Sequence, residues 1–195
     1  MKYNLSFYPI ETFVESDDRD YNTNIYNEPL EPCGTSEMSR GSWDNDYKCS
    51  ERGGGVHQIC LNNISKTIPG FSKLTGQSDW SDNRDDDNHC VCLGAWSLYN
   101  TKHNIEDNAV KCDAIPKAAL SNRYASKFSQ GWNKWNGLEL SNQIKDGVES
   151  LVESCYKNDV KSENLRHNYC DFAKTNEVLK DTEAVSYTHL TLPTN

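Results

Sequence analysis

The stretch "DDDNHCVCLGAWSLY", residues 85–99, governs how the middle of this 195-residue chain is expected to fold. A helix is predicted over residues 88–100, because the apolar side chains recur at the spacing of one helical face. The residues that form this face are Cys92, Leu93, Trp96 and Tyr99. The preceding aspartates suit the positive end of the helix dipole, and Asp87 or Asn88 is the expected N-cap.

The pair Cys90 and Cys92 follows a histidine and three aspartates, a combination that suggests a metal site. In a helix the two side chains diverge by about 200°, whereas in a strand they would share one face about 6.5–7 Å apart. A zinc site also needs further ligands, and no second closely spaced cysteine pair occurs in the sequence. We therefore predict structural thiols, with Cys92 in the core. Whether Cys90 faces another thiol, a metal or water is left open.

Eight cysteines are spread along the chain, and their spacing does not decide their redox state: Cys33, Cys49, Cys60, Cys90, Cys92, Cys112, Cys155 and Cys170. The first residues lack the apolar segment of a secretory signal peptide, so the cytosol is the expected compartment. Free thiols are the favoured interpretation, and disulfides or a metal site are the alternatives. The residues that could contribute to a metal site are Cys33, His57, Cys60, Cys90 and Cys92.

Composition excludes several classes of function. The net charge of −9 argues against a nucleic-acid-binding protein, which needs clustered Lys and Arg. No run of about 18 apolar residues is present, so no membrane span is expected. The acidic run "DNRDDDNH", residues 82–89, lacks the pattern of a calcium loop and predicts a solvated loop. No nucleophile, phosphate-loop or zinc-protease motif occurs, so no catalytic residue and no cofactor are predicted.

Two strands are expected outside the opening stretch. The run "VHQICLN", residues 56–62, alternates as a strand does, with His57 on one face and Cys60 on the other. The run "NAVKCDAI", residues 108–115, is predicted to form the second strand.

Helices dominate the second half of the predicted fold. One is expected to begin at Pro116 and to continue through Leu120 to Phe128. The strongest periodicity predicts a helix capped by Ser141, with a buried stripe of Ile144, Val148, Leu151, Val152 and Cys155. A weaker helix carries Leu165, Tyr169 and Phe172. Short strands, long loops and these helices together predict the α+β class.

Five motifs occur in order over roughly residues 27–124: "NEPLEPC", "GVHQIC", "GFSKLTGQSDWS", "HCVCLGAW" and "CDAIPKAAL". Together they resemble an uncharacterised family, domain of unknown function 2237. The positions that carry the resemblance are Asn27, Leu30, Cys33, Gly55, His57, Cys60, Phe71, Ser72, Gly76, Cys90, Cys92 and Trp96. The resemblance implies a compact two-layer α+β domain that is soluble and intracellular. It implies no reaction. A Thr-His pair common in the family is replaced here by Ile115 and Pro116.

The expected organisation has four parts: a polar N-terminal arm over residues 1–26, the family-like domain over 27–124, a helical extension packed on it over 125–184, and a non-native tail over 185–195. The favoured function is a soluble, non-catalytic binding or assembly module with a protein partner, and no oligomeric state is predicted. The alternative is a cysteine-dependent metal-binding or thiol redox protein.

Overall fold

A computed structural model describes seven segments of the chain: residues 21–38, 42–44, 46–50, 57–106, 108–121, 141–157 and 159–176. Two strands and five α-helices occur in these segments. In chain order they are β1 (His57–Leu61), α1 (Ile64–Thr67), α2 (Phe71–Leu74), β2 (His89–Cys92), α3 (Leu93–Asn100), α4 (Ser141–Cys155) and α5 (Val160–Thr175). Short 3₁₀ turns are formed by Ser81–Asn83, Cys112–Ala114 and Lys117–Leu120. The predicted α+β class is confirmed.

β1 and β2 form an antiparallel pair at the centre of the molecule. Cys60 lies opposite Cys90, and an irregularity between His57 and Ile59 shifts the register at the start of β1. All four residues of β2 are buried. Both faces of this strand are therefore covered, which explains its nearly continuous run of apolar residues.

The prediction of a helix from residue 88 is wrong for its first part. Residues 89–92 form β2, and the helix α3 begins only at Leu93. Its N-cap is neither Asp87 nor Asn88 but Cys92, whose Sγ accepts a hydrogen bond from the Ala95 backbone nitrogen at 3.4 Å. A short apolar run fits a buried strand as well as a helical face, and pairing with β1 decides between them.

α3 and α4 pack together across the core and approach closely at a glycine. Trp96 is fully buried, and its Nε1 donates to the Gly147 carbonyl oxygen at 2.8 Å. A Cβ at Gly147 would lie 2.6 Å from the Ser97 Cβ, well inside van der Waals contact. The absence of a side chain at Gly147 is therefore what allows the two helices to come together.

The two C-terminal helices lie where they were predicted, except that Ser141 is the first residue of α4 and not its cap. All five residues of the predicted stripe on α4 are buried, and so are the three residues named in the prediction of α5, Leu165, Tyr169 and Phe172. Tyr26 attaches the start of the described chain to these helices, because its hydroxyl donates to the Cys155 carbonyl at 2.7 Å. The Asn168 side chain donates to the Ile25 carbonyl at 3.0 Å.

The predicted strand over residues 108–115 is largely wrong. It makes one isolated bridge, between Val110 and Leu61, and then turns into the 3₁₀ turn at Cys112–Ala114. The backbone carbonyl of Ile115 instead accepts from the Ile25 nitrogen at 3.0 Å, so this segment pairs with the N-terminal part of the described chain. From Pro116 the described chain forms only a 3₁₀ turn, and the rest of the helix predicted there lies outside the described residues.

Several sequence expectations fall on parts of the chain that the structure does not describe. These are most of the N-terminal arm, the parts of the helical extension before residue 141 and after residue 176, and the C-terminal tail. The division into domain and extension stays a prediction. Over the segments that are described, no helix combines the length and apolar character that a membrane span requires.

Candidate functional site

Six of the eight cysteines are joined in three disulfide bonds, so the favoured interpretation of free thiols is wrong for these six. The pairs are Cys33–Cys60, Cys49–Cys90 and Cys112–Cys155. Cys92 and Cys170 carry thiols. The open question about Cys90 is answered, because it faces another cysteine.

Two of these disulfides lie side by side and form a four-cysteine cluster, defined as Cys33, Cys49, Cys60 and Cys90. The Sγ atoms of Cys33, Cys49 and Cys60 all lie within 4.8 Å of one another, and Cys90 is bonded to Cys49. No member is more than 1% exposed. The structure thus concentrates four sulfurs in one water-excluded place.

The local fold explains why these four residues meet. Cys60 and Cys90 are directly opposite in the β1–β2 pair, where facing Cβ atoms are about 4.5–5.5 Å apart. Cys33 and Cys49 come from the loop before β1. That loop is closed by a hydrogen bond from the Cys33 nitrogen to the Tyr47 carbonyl at 2.8 Å. Asn88 fixes the loop to the sheet by donating to the Cys33 carbonyl at 2.8 Å.

The sequence-based metal candidates divide between this cluster and other places. Cys33, Cys60 and Cys90 belong to it, while Cys92 caps α3 and His57 lies half-buried at the start of β1. Among the described residues, the donors close enough to share an ion are Cys33, Cys49 and Cys60, a set that excludes His57, Cys90 and Cys92. Cys49 was missed, because a cysteine in an irregular loop carries no spacing that marks it as a partner.

An aromatic flank, defined as Trp43, Trp80 and His89, lies beside the cluster. The His89 ring is tilted against Trp80 at a centroid distance of 4.4 Å and against Trp43 at 6.4 Å. Both indoles are half-buried, whereas His89 is buried. The guanidinium of Arg84 lies 5.3 Å from the centre of the Trp80 ring, in cation–π contact.

Ser42 and His89 are in contact, as a catalytic serine and its general base would be. The Ser42 Oγ lies 3.2 Å from His89 Nε2. Burial, followed by the positive charge of Arg84, lowers the pKa of His89 to about 3. The second ring nitrogen, Nδ1, has no hydrogen-bond partner within the described segments. A histidine of this pKa is a weak base and lacks an orienting group, so the pair fits a packing role.

The acidic run at residues 82–89 is tied to the helices before it. Asp82 accepts from the Gly70 nitrogen at the start of α2 at 2.7 Å, and Asp86 pairs with Lys66 at the end of α1. Asn63 donates to Asp86 at 3.1 Å. These contacts satisfy the carboxylates within the protein and position the loop that precedes β2.

Comparisons with family models, with curated proteins and with solved structures find no match to this chain. The site must therefore be interpreted from its own chemistry. It offers a buried group of oxidised sulfurs and, next to it, a half-exposed pair of indoles with a guanidinium.

Proposed function

We propose that this protein is a non-catalytic binding module, braced by disulfides, that docks a protein partner on its aromatic flank. The observation that carries the proposal is the half-exposed Trp80 covered by the Arg84 guanidinium. Trp, Tyr and Arg contribute most of the energy at protein interfaces, because they bury a large area with few rotatable bonds.

The rigidity of the surface supports this function. Trp80 is held from below by Phe71, with ring centroids 6.2 Å apart, and its Nε1 donates to Gln77 at 3.2 Å. A preformed aromatic surface loses little conformational entropy when it is covered. Leu74 is 38% exposed and lies on α2, the helix whose Phe71 packs against Trp80. The weakly basic His89 next to Ser42 favours binding over hydrolysis.

A protein partner is the ligand that best fits this surface. The chain carries a net charge of −9, which disfavours a polyanionic ligand such as nucleic acid. The resemblance to domain of unknown function 2237 stays part of the proposal and adds no reaction to it.

The cytosolic location predicted from the sequence stays a prediction. Three disulfides favour an oxidising compartment instead, because cytosolic thiols are kept reduced. Rapid acid quenching of native cells, followed by alkylation and mass measurement, would distinguish the two. Alkylation of only Cys92 and Cys170 supports the oxidising compartment, and alkylation of all eight cysteines supports the cytosol.

Site-specific photocrosslinking in native cells tests the binding surface. A benzophenone amino acid replaces Leu74 in one version of the protein and Val160 in another. Val160 is 87% exposed and lies on α5, so it is the matched apolar control. We expect a discrete adduct from position 74 that is lost in an Arg84→Ala variant of unchanged melting temperature. Equal adducts from both positions, or an adduct indifferent to Arg84, would contradict the proposal.

A further inference from the structure

We infer that the four-cysteine cluster becomes a tetrahedral zinc site when its two disulfides are reduced. Reduction by a dithiol or phosphine delivers four electrons and four protons, and it opens Cys33–Cys60 and Cys49–Cys90 to four thiols. Zinc then binds the four sulfurs as thiolates and displaces the four protons. The inference concerns the alternative function considered from the sequence and does not depend on the proposed partner surface.

The distances in the oxidised protein already approach those of a zinc centre. Zinc–sulfur bonds of about 2.3 Å in a tetrahedron place neighbouring sulfurs about 3.8 Å apart. The Sγ atoms of Cys33, Cys49 and Cys60 lie within 4.8 Å of one another, and Cys90 adjoins Cys49. Shifts of about 1 Å would bring these three sulfurs to that spacing, while the Cys90 Sγ, which lies outside that set, would have to move farther once its bond to Cys49 opens.

Three of the four residues are held by backbone contacts as well as by the two disulfides. Cys60 and Cys90 are held by the strand pair, and Cys33 is held by its bonds to Tyr47 and Asn88. The reduced sulfurs therefore stay close together, and four buried thiols at this distance cannot all ionise without a cation among them. A divalent metal supplies the missing charge, which gives the reduced cluster its affinity.

The absence of a Cys-x₂₋₄-Cys pair in the sequence does not oppose this site. That spacing describes ligands delivered two at a time by a single turn, whereas here four separate segments deliver one cysteine each. Oxidation reverses the process: two molecules of a disulfide oxidant accept four electrons, both protein disulfides form again, and Zn²⁺ leaves. The same sulfurs thus hold either the metal or the disulfides, and never both.

Cobalt binding to the anaerobically reduced full-length protein tests the inference. All three disulfides are opened with a phosphine, the reductant is removed, and Co²⁺ is titrated in the absence of oxygen. We expect one Co²⁺ per chain, with the thiolate charge-transfer and visible d–d absorption of a tetrahedral thiolate site. One equivalent of Zn²⁺ should displace it. Unreduced protein should give neither absorption band.

Matched variants, together with the protection of cysteines from alkylation, distinguish metal binding at this cluster from metal binding by the other thiols. A Cys112→Ser/Cys155→Ser variant and a Cys92→Ser variant should keep the cobalt spectrum, and Cys60→Ser should lose the four-sulfur spectrum. Because Cys60→Ser could unfold, alkylation of reduced wild-type protein gives an independent readout. With Zn²⁺ present, the four cluster cysteines should be protected while Cys112 and Cys155 react. No absorption in the wild type, a spectrum that Cys112→Ser/Cys155→Ser abolishes, or uniform alkylation would overturn the inference.

Discussion

Replacing His89 with phenylalanine should make the free energy of unfolding less sensitive to acid. His89 is 5% exposed, and its ring packs against Trp80 and Trp43. Burial is the main reason that its pKa is lowered to about 3, and the positive charges of Arg84 and His57 supply the rest of this shift. Phenylalanine keeps a ring in the same place and removes the titrating group.

The sign follows from where the proton binds. The unfolded chain takes up a proton on this histidine near pH 6.5, while the folded protein resists protonation until about pH 3. The contribution of His89 is therefore fully present above pH 6.5 and is lost as the pH falls from about 6.5 towards 3. At about pH 5 the solution is about 1.5 units below the pKa of this histidine in the unfolded chain. Protonation then stabilises the unfolded state, and so lowers the free energy of unfolding, by about 2 kcal/mol. This figure changes little if the folded pKa is one unit higher.

Urea unfolding at about pH 7.5 and about pH 5 measures the effect, because carboxylates and other histidines titrate equally in both proteins. Wild type should lose about 2 kcal/mol more than His89→Phe between the two pH values. His167→Gln is the matched control, since His167 lies on the exposed face of α5 with its ring 76% exposed. The reasoning is refuted if wild type and His89→Phe lose the same free energy, or if His167→Gln behaves as His89→Phe does.

Two further changes test how the helices are held. Cys112→Ser/Cys155→Ser opens a loop with a sequence separation of 43. Because the bond limits the conformations of the unfolded chain, its removal should lower the free energy of unfolding by up to about 4 kcal/mol. A loss under about 1 kcal/mol, measured against wild-type protein with its disulfides intact, would contradict this bond. Gly147→Ala should destabilise by about 1–3 kcal/mol despite the better helix propensity of alanine, because its Cβ would clash with Ser97. Asp146→Ala, one residue earlier on α4 and exposed, should be nearly neutral by thermal unfolding, and equal effects would contradict the close approach.

The parts of the fold that could be predicted are those with a long periodic signal. The stripe on α4 repeats over about three turns, so its five residues between Ile144 and Cys155 were placed on one buried face from sequence alone. β2 has only four residues, and its last residue, Cys92, fitted a helical face equally well. Its conformation depends on β1, nearly thirty residues earlier, and no local pattern contains that information.

The disulfide pairing was beyond sequence reasoning for a related reason. Eight cysteines allow 105 complete pairings, and spacing does not choose among them when each residue comes from a different segment. Cys49 shows the difficulty, because it lies in a loop of glycine, serine, asparagine and aspartate with no periodicity. Only the folded loop, closed between Cys33 and Tyr47, brings it to the sheet.

The four-cysteine cluster depends finally on the register of one strand pair. The irregularity between His57 and Ile59 absorbs a residue, so that Cys60 lies opposite Cys90 and not opposite His89. A slip by one residue would turn Cys90 to the other face and separate the two disulfides. The two disulfides of the oxidised protein and metal binding in the reduced protein therefore require the same strand register. A deletion that removes the irregularity should abolish both properties together, whereas loss of the Cys112–Cys155 bond should spare both.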